Sequence, residues 1–152
     1  MSDGAQGTIV SIYLCTGHRD PMNSVDSADM KAGYGIEGDR HAVSEGVRTA
    51  RQVLLMDEET LSKFGLESGE VRENITTSGI DLHSIEAGQR VTLGDSAVVE
   101  ITGFCAPCAR MDEIRDGLRV ELEEQRGMLA TVLESGSISV GDRVTILEVA
   151  AV

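Results

Sequence analysis

Arg90-Val91-Thr92-Leu93-Gly94-Asp95-Ser96-Ala97-Val98-Val99-Glu100-Ile101-Thr102 is the stretch from which the rest of the chain can be read. Two short runs rich in apolar and β-branched residues, 90–93 and 97–102, flank a Gly94-Asp95 break. Runs of that length and composition, bounded by Gly and Asp, read as strands with a turn between them. The same punctuation recurs on both sides. Upstream, residues 8–14 read as a first strand and 52–56 as a short buried one. Residues 74–77 and 80–85 read as two more, broken by Gly79 and Gly88. Downstream, residues 128–133 and 143–149 read as closing strands joined through Gly136 and Gly141-Asp142.

Helices are few. Residues 57–65 have acids in the first turn, Lys63 in the last and Gly65 as a stop, which together spell a short helix. Residues 118–125 are acidic and amphipathic and read as a second. Residues 16–35, rich in Gly, Asp, Ser and Asn, read as mostly loop. Gly33, Gly35 and Gly38 crowd one segment, which implies positive-φ turns or a close approach. Many short strands with Gly-rich turns argue for a mainly β fold, a small barrel or sandwich, with the barrel favoured. No repeat, linker or low-complexity segment appears, so one domain is expected over residues 1–152, its core about 7–149.

Composition bounds the function. The 152 residues carry a net charge of −13 and 41% hydrophobic residues, with two Tyr, two Phe and no Trp, so the core is aliphatic. A surface this acidic repels phosphate backbones and anionic lipids, so neither nucleic acid nor a membrane surface is an expected partner. Only Lys31 and Lys63 are lysines; the other basic residues are Arg, the better fork for phosphate or carboxylate. No apolar run is long enough to span a bilayer, and residues 1–7 lack the pattern of a signal peptide. A cytoplasmic location with three reduced cysteines is therefore expected.

Chemistry concentrates in Phe104-Cys105-Ala106-Pro107-Cys108-Ala109-Arg110, at a strand exit where loops commonly carry function. The C-x-x-C spacing fits a redox pair, although that chemistry is at home at a helix start in a βαβ setting. It fits half of a zinc site, although Cys15, His18, His41 and His83 lack finger spacing. It fits a single thiolate that carries sulfur or ligates a soft metal, with Arg110 and Arg115 near in sequence. It also fits two cysteines packed as small hydrophobes. Asp39-Arg40-His41 in its Gly-rich loop reads as a binding lip or as a turn with a solvated charge pair. Arg72-Glu73-Asn74 reads as an anion and hydrogen-bonding site or as a strand entry. No phosphate-binding P-loop, dinucleotide turn, zinc-protease helix or serine-hydrolase elbow is present.

Taken in order, the landmarks resemble the MOSC family, the domain named after the C-terminal part of molybdenum-cofactor sulfurases. They are Gly35-Ile36-Glu37-Gly38-Asp39-Arg40-His41, Arg51-Gln52-Val53 before an apolar run and Glu58, Arg72-Glu73-Asn74-Ile75-Thr76-Thr77-Ser78-Gly79-Ile80-Asp81-Leu82, Glu100-Ile101-Thr102-Gly103, Pro107-Cys108 and Gly136-Ser137-Ile138-Ser139-Val140-Gly141-Asp142. The resemblance implies a β-barrel of the pyruvate kinase type with a few short helices. It implies that Cys108 is the functional thiol, carrying sulfur or ligating molybdenum, with Cys105 a resolving or assisting partner. It places Asp39, Arg40, His41, Arg72, Asn74 and Arg110 around a cofactor, for which the molybdenum cofactor is the candidate. Implied partners are a sulfur donor such as a cysteine desulfurase, or an electron-transfer protein; the oligomeric state stays open, a homodimer included. Large sulfurases carry a separate pyridoxal-phosphate domain for which this length leaves no room, so no covalently bound pyridoxal phosphate is expected. Two alternatives stand beside this reading: a small molybdenum-cofactor reductase of N-hydroxylated compounds, and a docking barrel with inert cysteines.

Overall fold

The computed structural model describes residues 6–15, 22–39, 52–105, 109–123 and 125–147, with the backbone alone for 109 and 110. Eleven strands are described: β1 Gln6–Leu14, β2 Asn23–Val25, β3 Ser27–Lys31, β4 Gly35–Ile36, β5 Val53–Asp57, β6 Ile75–Ser78, β7 Arg90–Leu93, β8 Ala97–Phe104, β9 Met128–Glu134, β10 Gly136–Ser139 and β11 Arg143–Ile146. Three short helices accompany them: α1 Glu58–Lys63, α2 Ala109–Ile114 and α3 Leu118–Glu121.

Seven strands close a barrel in the order β11-β7-β8-β9-β5-β6-β1, sealed by pairing of β11 with β1. Closure leaves no open sheet edge around the barrel. β1 serves three partners. Thr8 pairs with both Arg143 and Ser78, and Ile12 with both Val25 and Ile75. β6 therefore takes one edge of β1, while β11 and β2 divide the other, which leaves β2 outside the barrel. β10, β3 and β4 form a separate small sheet. β5 and β6 run parallel, with α1 in the connection between them.

The core explains the sequence patterns. Ile9, Ile12, Val53, Leu55, Ile75, Val91, Val99, Ile101, Ala130 and Val144 belong to one buried cluster. β5 is buried along its whole length. Val53 and Leu55 join that barrel cluster, whereas Met56 joins a second one with Leu61, Val71, Met111, Leu118 and Leu122. Covering by α1–α3 is why residues 52–56 show no alternation. Asp57 caps α1: its carboxylate accepts from the Thr60 backbone N–H at 3.0 Å and the Thr60 hydroxyl at 2.8 Å.

Three expectations need correction. Residues 80–85 are not a strand; Leu82–Ser84 form a single 3-10 turn. Ile80, Leu82 and Ile85 are all buried in the barrel cluster, and the Ser84 hydroxyl bonds back to the Asp81 carbonyl at 2.8 Å. Local bonding by the Ser84 side chain competes with a ladder, and it wins here. Within 16–35, residues 23–25 and 27–31 are strands despite their polar composition. β3 lies between β10 and β4, and pairing with distant residues overrides the local signal. The expected helix over 118–125 is α3 alone, Leu118–Glu121, entered through Gly117 at φ +85°. Among the described residues no helix is long and apolar enough to cross a membrane.

Candidate functional site

Asn74 sits just ahead of β6, between the ends of β5 and β1. Its backbone N–H donates to the Leu54 carbonyl at 2.8 Å, and its carbonyl accepts from the Tyr13 N–H at 2.7 Å. The side chain then engages the opposite groups of the same two residues. Oδ1 accepts from the Leu54 N–H at 3.0 Å, and Nδ2 donates to the Tyr13 carbonyl at 3.2 Å. Its other hydrogen goes to Asp39 Oδ1 at 3.0 Å. The amide orientation is fixed by these partners, because only an oxygen can accept from Leu54 and only the NH2 can serve two acceptors. Asp39 Oδ1 also accepts from the Cys15 N–H at 2.7 Å. Asp39 and Asn74 are both buried, so the cluster is a fixed one.

Arg72 extends the cluster to a sulfur. Its Nη2 donates to Cys15 Sγ at 3.0 Å, and Cys15 is almost wholly buried at the end of β1. Arg72 has φ +62°, the one positive-φ residue other than glycine among those described. A side chain in that region costs roughly 1–3 kcal/mol, and such strain collects where a side chain must be aimed. A cavity of about 410 Å3 opens beside it, lined by Tyr13, Gly69, Arg72 and the α2 residues Glu113 and Ile114.

Cys105 follows β8 and packs in a small apolar cluster with Leu54 and Leu129. Leu54 thus joins two parts of the site: its backbone holds the Asn74 amide while its side chain covers Cys105. The Cys105 N–H donates to the Gly127 carbonyl at 2.9 Å. Gly127 in turn donates its N–H to His83 Nε2 at 3.1 Å. Because Nε2 accepts, the ring proton of the neutral imidazole belongs on Nδ1, which faces Asp57 Oδ1 at 3.2 Å. Asp57 Oδ1 is buried and makes no hydrogen bond, so the contact is a close electrostatic one. Burial works to raise the Asp57 carboxyl, but His83 and Thr60 together outweigh it and hold the group below its usual range. The His83 ring stacks on Phe104, centroids 6.3 Å apart and planes 11° apart.

Glu73 and Arg126 add buried charge. Glu73 Oε2 accepts from the Gly69 N–H at 2.9 Å and the Thr76 hydroxyl at 2.8 Å, while Oε1 is buried without a hydrogen bond. Burial pushes the Glu73 carboxyl above its ordinary value of 4.5; those two donors and the charge of Arg126 oppose the shift without cancelling it. Arg126 is also buried, with Nε and Nη1 making no hydrogen bond. Between pH 4.5 and the raised value the folded chain binds more protons than the unfolded one, so stability falls as pH rises through that window. Glu73→Gln keeps an acceptor for Gly69 and Thr76 and cannot ionise. In urea titrations at a series of pH values it is expected to gain on the wild type as pH rises; parallel profiles would contradict the assignment.

Of the residues singled out in the sequence, Asp39 and Asn74 are in direct contact, and Arg72 reaches the same cluster through Cys15. Cys105 lies one residue, Leu54, away. Cys108, Arg40, His41 and the side chain of Arg110 lie outside the described residues. Arg115 is committed elsewhere, donating to the Phe64 carbonyl at 2.6 Å and to Glu121 at 2.9 Å. The C-x-x-C stretch does lead into a helix, α2, but the flanking strands β8 and β9 are antiparallel neighbours rather than parts of a βαβ unit. Among the described residues no group of three or more His, Cys, Asp or Glu could hold a metal. Sequence reasoning missed Cys15 as a member of the cluster, and missed Arg126 and the His83–Asp57 pair. Cys15 lacked a motif, and contacts of 44 residues' separation, as between His83 and Gly127, leave no local pattern.

A family model described as "MOSC domain" matches residues 46–145. No curated protein matches the sequence significantly. Among solved structures, the YuaD protein from Bacillus subtilis superposes with a TM-score of 0.78 at 20% identity, covering 95% of this chain and 97% of that one. YiiM from Geobacillus stearothermophilus gives 0.72 at 16% identity, over 93% of this chain and 75% of that one. YiiM from Escherichia coli gives 0.66 at 15% identity, over 95% and 72%. At these identities the likeness is one of fold.

Proposed function

We propose, starting from the fact that this chain belongs to the MOSC domain family, that it is a sulfur-carrying or molybdenum-cofactor-binding module whose working group is the Cys108 thiolate. The observation that supports this reading is the buried Asp39–Asn74 pair one residue away from Cys105, with Arg72 aimed into the same cluster. A fixed polar cluster beside a cysteine-bearing loop is what a thiolate needs to meet a partner in one geometry.

Carriage requires no redox cofactor. The Cys108 thiolate attacks the outer sulfur of a donor persulfide. A new S–S bond forms on Cys108, the donor's S–S bond breaks, and the donor leaves as its thiolate, so oxidation states balance. The donor class is a cysteine desulfurase charged with cysteine. Intact-mass spectrometry is expected to show wild-type protein gaining one sulfur atom from such a donor, and Cys108→Ala failing to gain it. Equal loading of both proteins would refute the assignment.

Part of the donor set fits an anionic, acceptor-rich cofactor: Arg72 lines a cavity, which it shares with Glu70 and Glu113, while the buried Arg126 and Gln52, whose N–H groups lack hydrogen-bond partners, are not among the residues lining it. The molybdenum cofactor, when bound, would supply oxygen-atom and electron transfer, with Cys108 as the sulfur ligand and Arg72 and Asn74 holding the surroundings. In that case the chain is a small reductase of N-hydroxylated compounds supplied by an electron-transfer partner. Near-stoichiometric molybdenum after co-expression with cofactor machinery favours that reading, and metal-free protein that still loads sulfur favours carriage. A docking barrel with inert cysteines predicts neither. By the same reading the protein works in the cytoplasm, where thiols stay reduced.

A further inference from the structure

We propose that His83 is a positioning residue for Cys105, holding from outside the site the backbone hook on which that cysteine hangs. Three contacts converge on it. Nε2 accepts from the Gly127 N–H at 3.1 Å, and the Gly127 carbonyl accepts from the Cys105 N–H at 2.9 Å. The imidazole face lies on Phe104, the residue immediately before Cys105. One ring therefore grips both members of the hook, the last residue of β8 and the residue that bonds Cys105.

The imidazole is itself oriented. Asp57 Oδ1 faces Nδ1 at 3.2 Å, and Asp57 is fixed by capping α1 through Thr60. Asp57, Thr60, Lys63, Asp81 and His83 line a cavity of about 470 Å3, so the ring is reachable from solvent on that side. With Nε2 taken by Gly127 and Nδ1 facing Asp57, neither nitrogen is available for proton transfer to a substrate. What His83 supplies is position, and this holds whether the cysteine loop carries sulfur, ligates a metal or does neither.

Two substitutions separate the contacts. His83→Phe keeps an aromatic ring for Phe104 and loses the acceptor; His83→Gln places an oxygen near Nε2 and loses the ring. The readout is the alkylation rate of each cysteine by iodoacetamide, resolved by peptide mass spectrometry. Cys15, buried on Arg72, is the internal reference. Labelling of a buried thiol reports how often its shelter opens. Leaving the Gly127 N–H unpaired should raise opening at Cys105 relative to Cys15 roughly fivefold to a hundredfold in His83→Phe. His83→Gln should stay close to wild type, a rescue that a merely space-filling role would not give. An unchanged Cys105 rate in His83→Phe, equal acceleration of Cys15, or failure of His83→Gln to rescue overturns the proposal. Should His83→Phe not fold, amide exchange in the wild type and His83→Gln decides: a protected Gly127 amide in both supports it, and an unprotected one overturns it.

Discussion

Asn74→Ala is expected to cost the protein a large part of its stability. Alanine removes three side-chain hydrogen bonds, to Leu54, Tyr13 and Asp39, at a position with no solvent access. Each buried group left without a partner costs roughly 1–3 kcal/mol, against a total stability on the order of 5–15 kcal/mol for a domain. The losses share one network and do not add fully, so a net penalty of about 3–5 kcal/mol is the expectation. For a chain of this length that lowers the melting temperature by roughly 10 °C. Asn74→Asp tests the cause. It preserves the acceptor for the Leu54 N–H but turns oxygens towards the Tyr13 carbonyl and Asp39, and it should be no milder. Calorimetry showing either variant within a degree or two of wild type would mean that Asn74 is not the junction of β5, β6 and β1.

Gly127→Ala carries the second large effect. Gly127 has φ +114°, and a Cβ there would stand 2.6 Å from the Leu55 carbonyl oxygen and 3.0 Å from Leu54 Cδ1. The first contact is with backbone, so β5 or the start of β9 must move. Backbone strain and overpacking together give roughly 2–6 kcal/mol. Gly141→Ala is the control: its φ is +98° but nothing lies within 4 Å of the added carbon. It should cost about 1–2 kcal/mol, the price of conformation alone. The difference between the two measures the close approach. Equal losses would show that no such approach exists in solution.

Much of the barrel could be read directly because its strands are short, β-branched and bounded by glycine. Residues 90–93 and 97–102 are strands as read, and the structure pairs them, Arg90 with Glu100 through Leu93 with Ala97. The helix after Asp57 was legible because its start and stop signals act within a few residues. The readings that failed were those settled by distant partners. β3 is polar, and it is a strand because residues 136–139 pair along it. Residues 80–85 look like a strand, yet Ile80, Leu82 and Ile85 fill the barrel core without pairing. No window of local sequence contains either fact.

The site shows the same division. Asp39, Arg72 and Asn74 stood in recognisable landmarks, whereas Cys15 stood in none and is nonetheless held by both Arg72 and Asp39. Arg126 was unmarked, and Glu73 was given no role of its own inside its landmark, because their significance is burial, which is a property of the folded chain. His83 was weighed only as a zinc ligand; its actual contacts, Asp57, Phe104 and Gly127, tie three separate elements around Cys105.

Under the proposed function Cys108 is the cysteine that carries sulfur. Cys15 is held by Arg72 and Cys105 is packed against Leu54 and Leu129, so neither should substitute for Cys108. The most direct test is sulfur loading from a charged cysteine desulfurase onto two proteins, one retaining Cys108 alone (Cys15→Ser, Cys105→Ser) and one lacking it alone (Cys108→Ser), followed by intact-mass spectrometry. The first protein is expected to gain one sulfur atom and the second none. Loading of the second protein, with the first left bare, would contradict that role for Cys108.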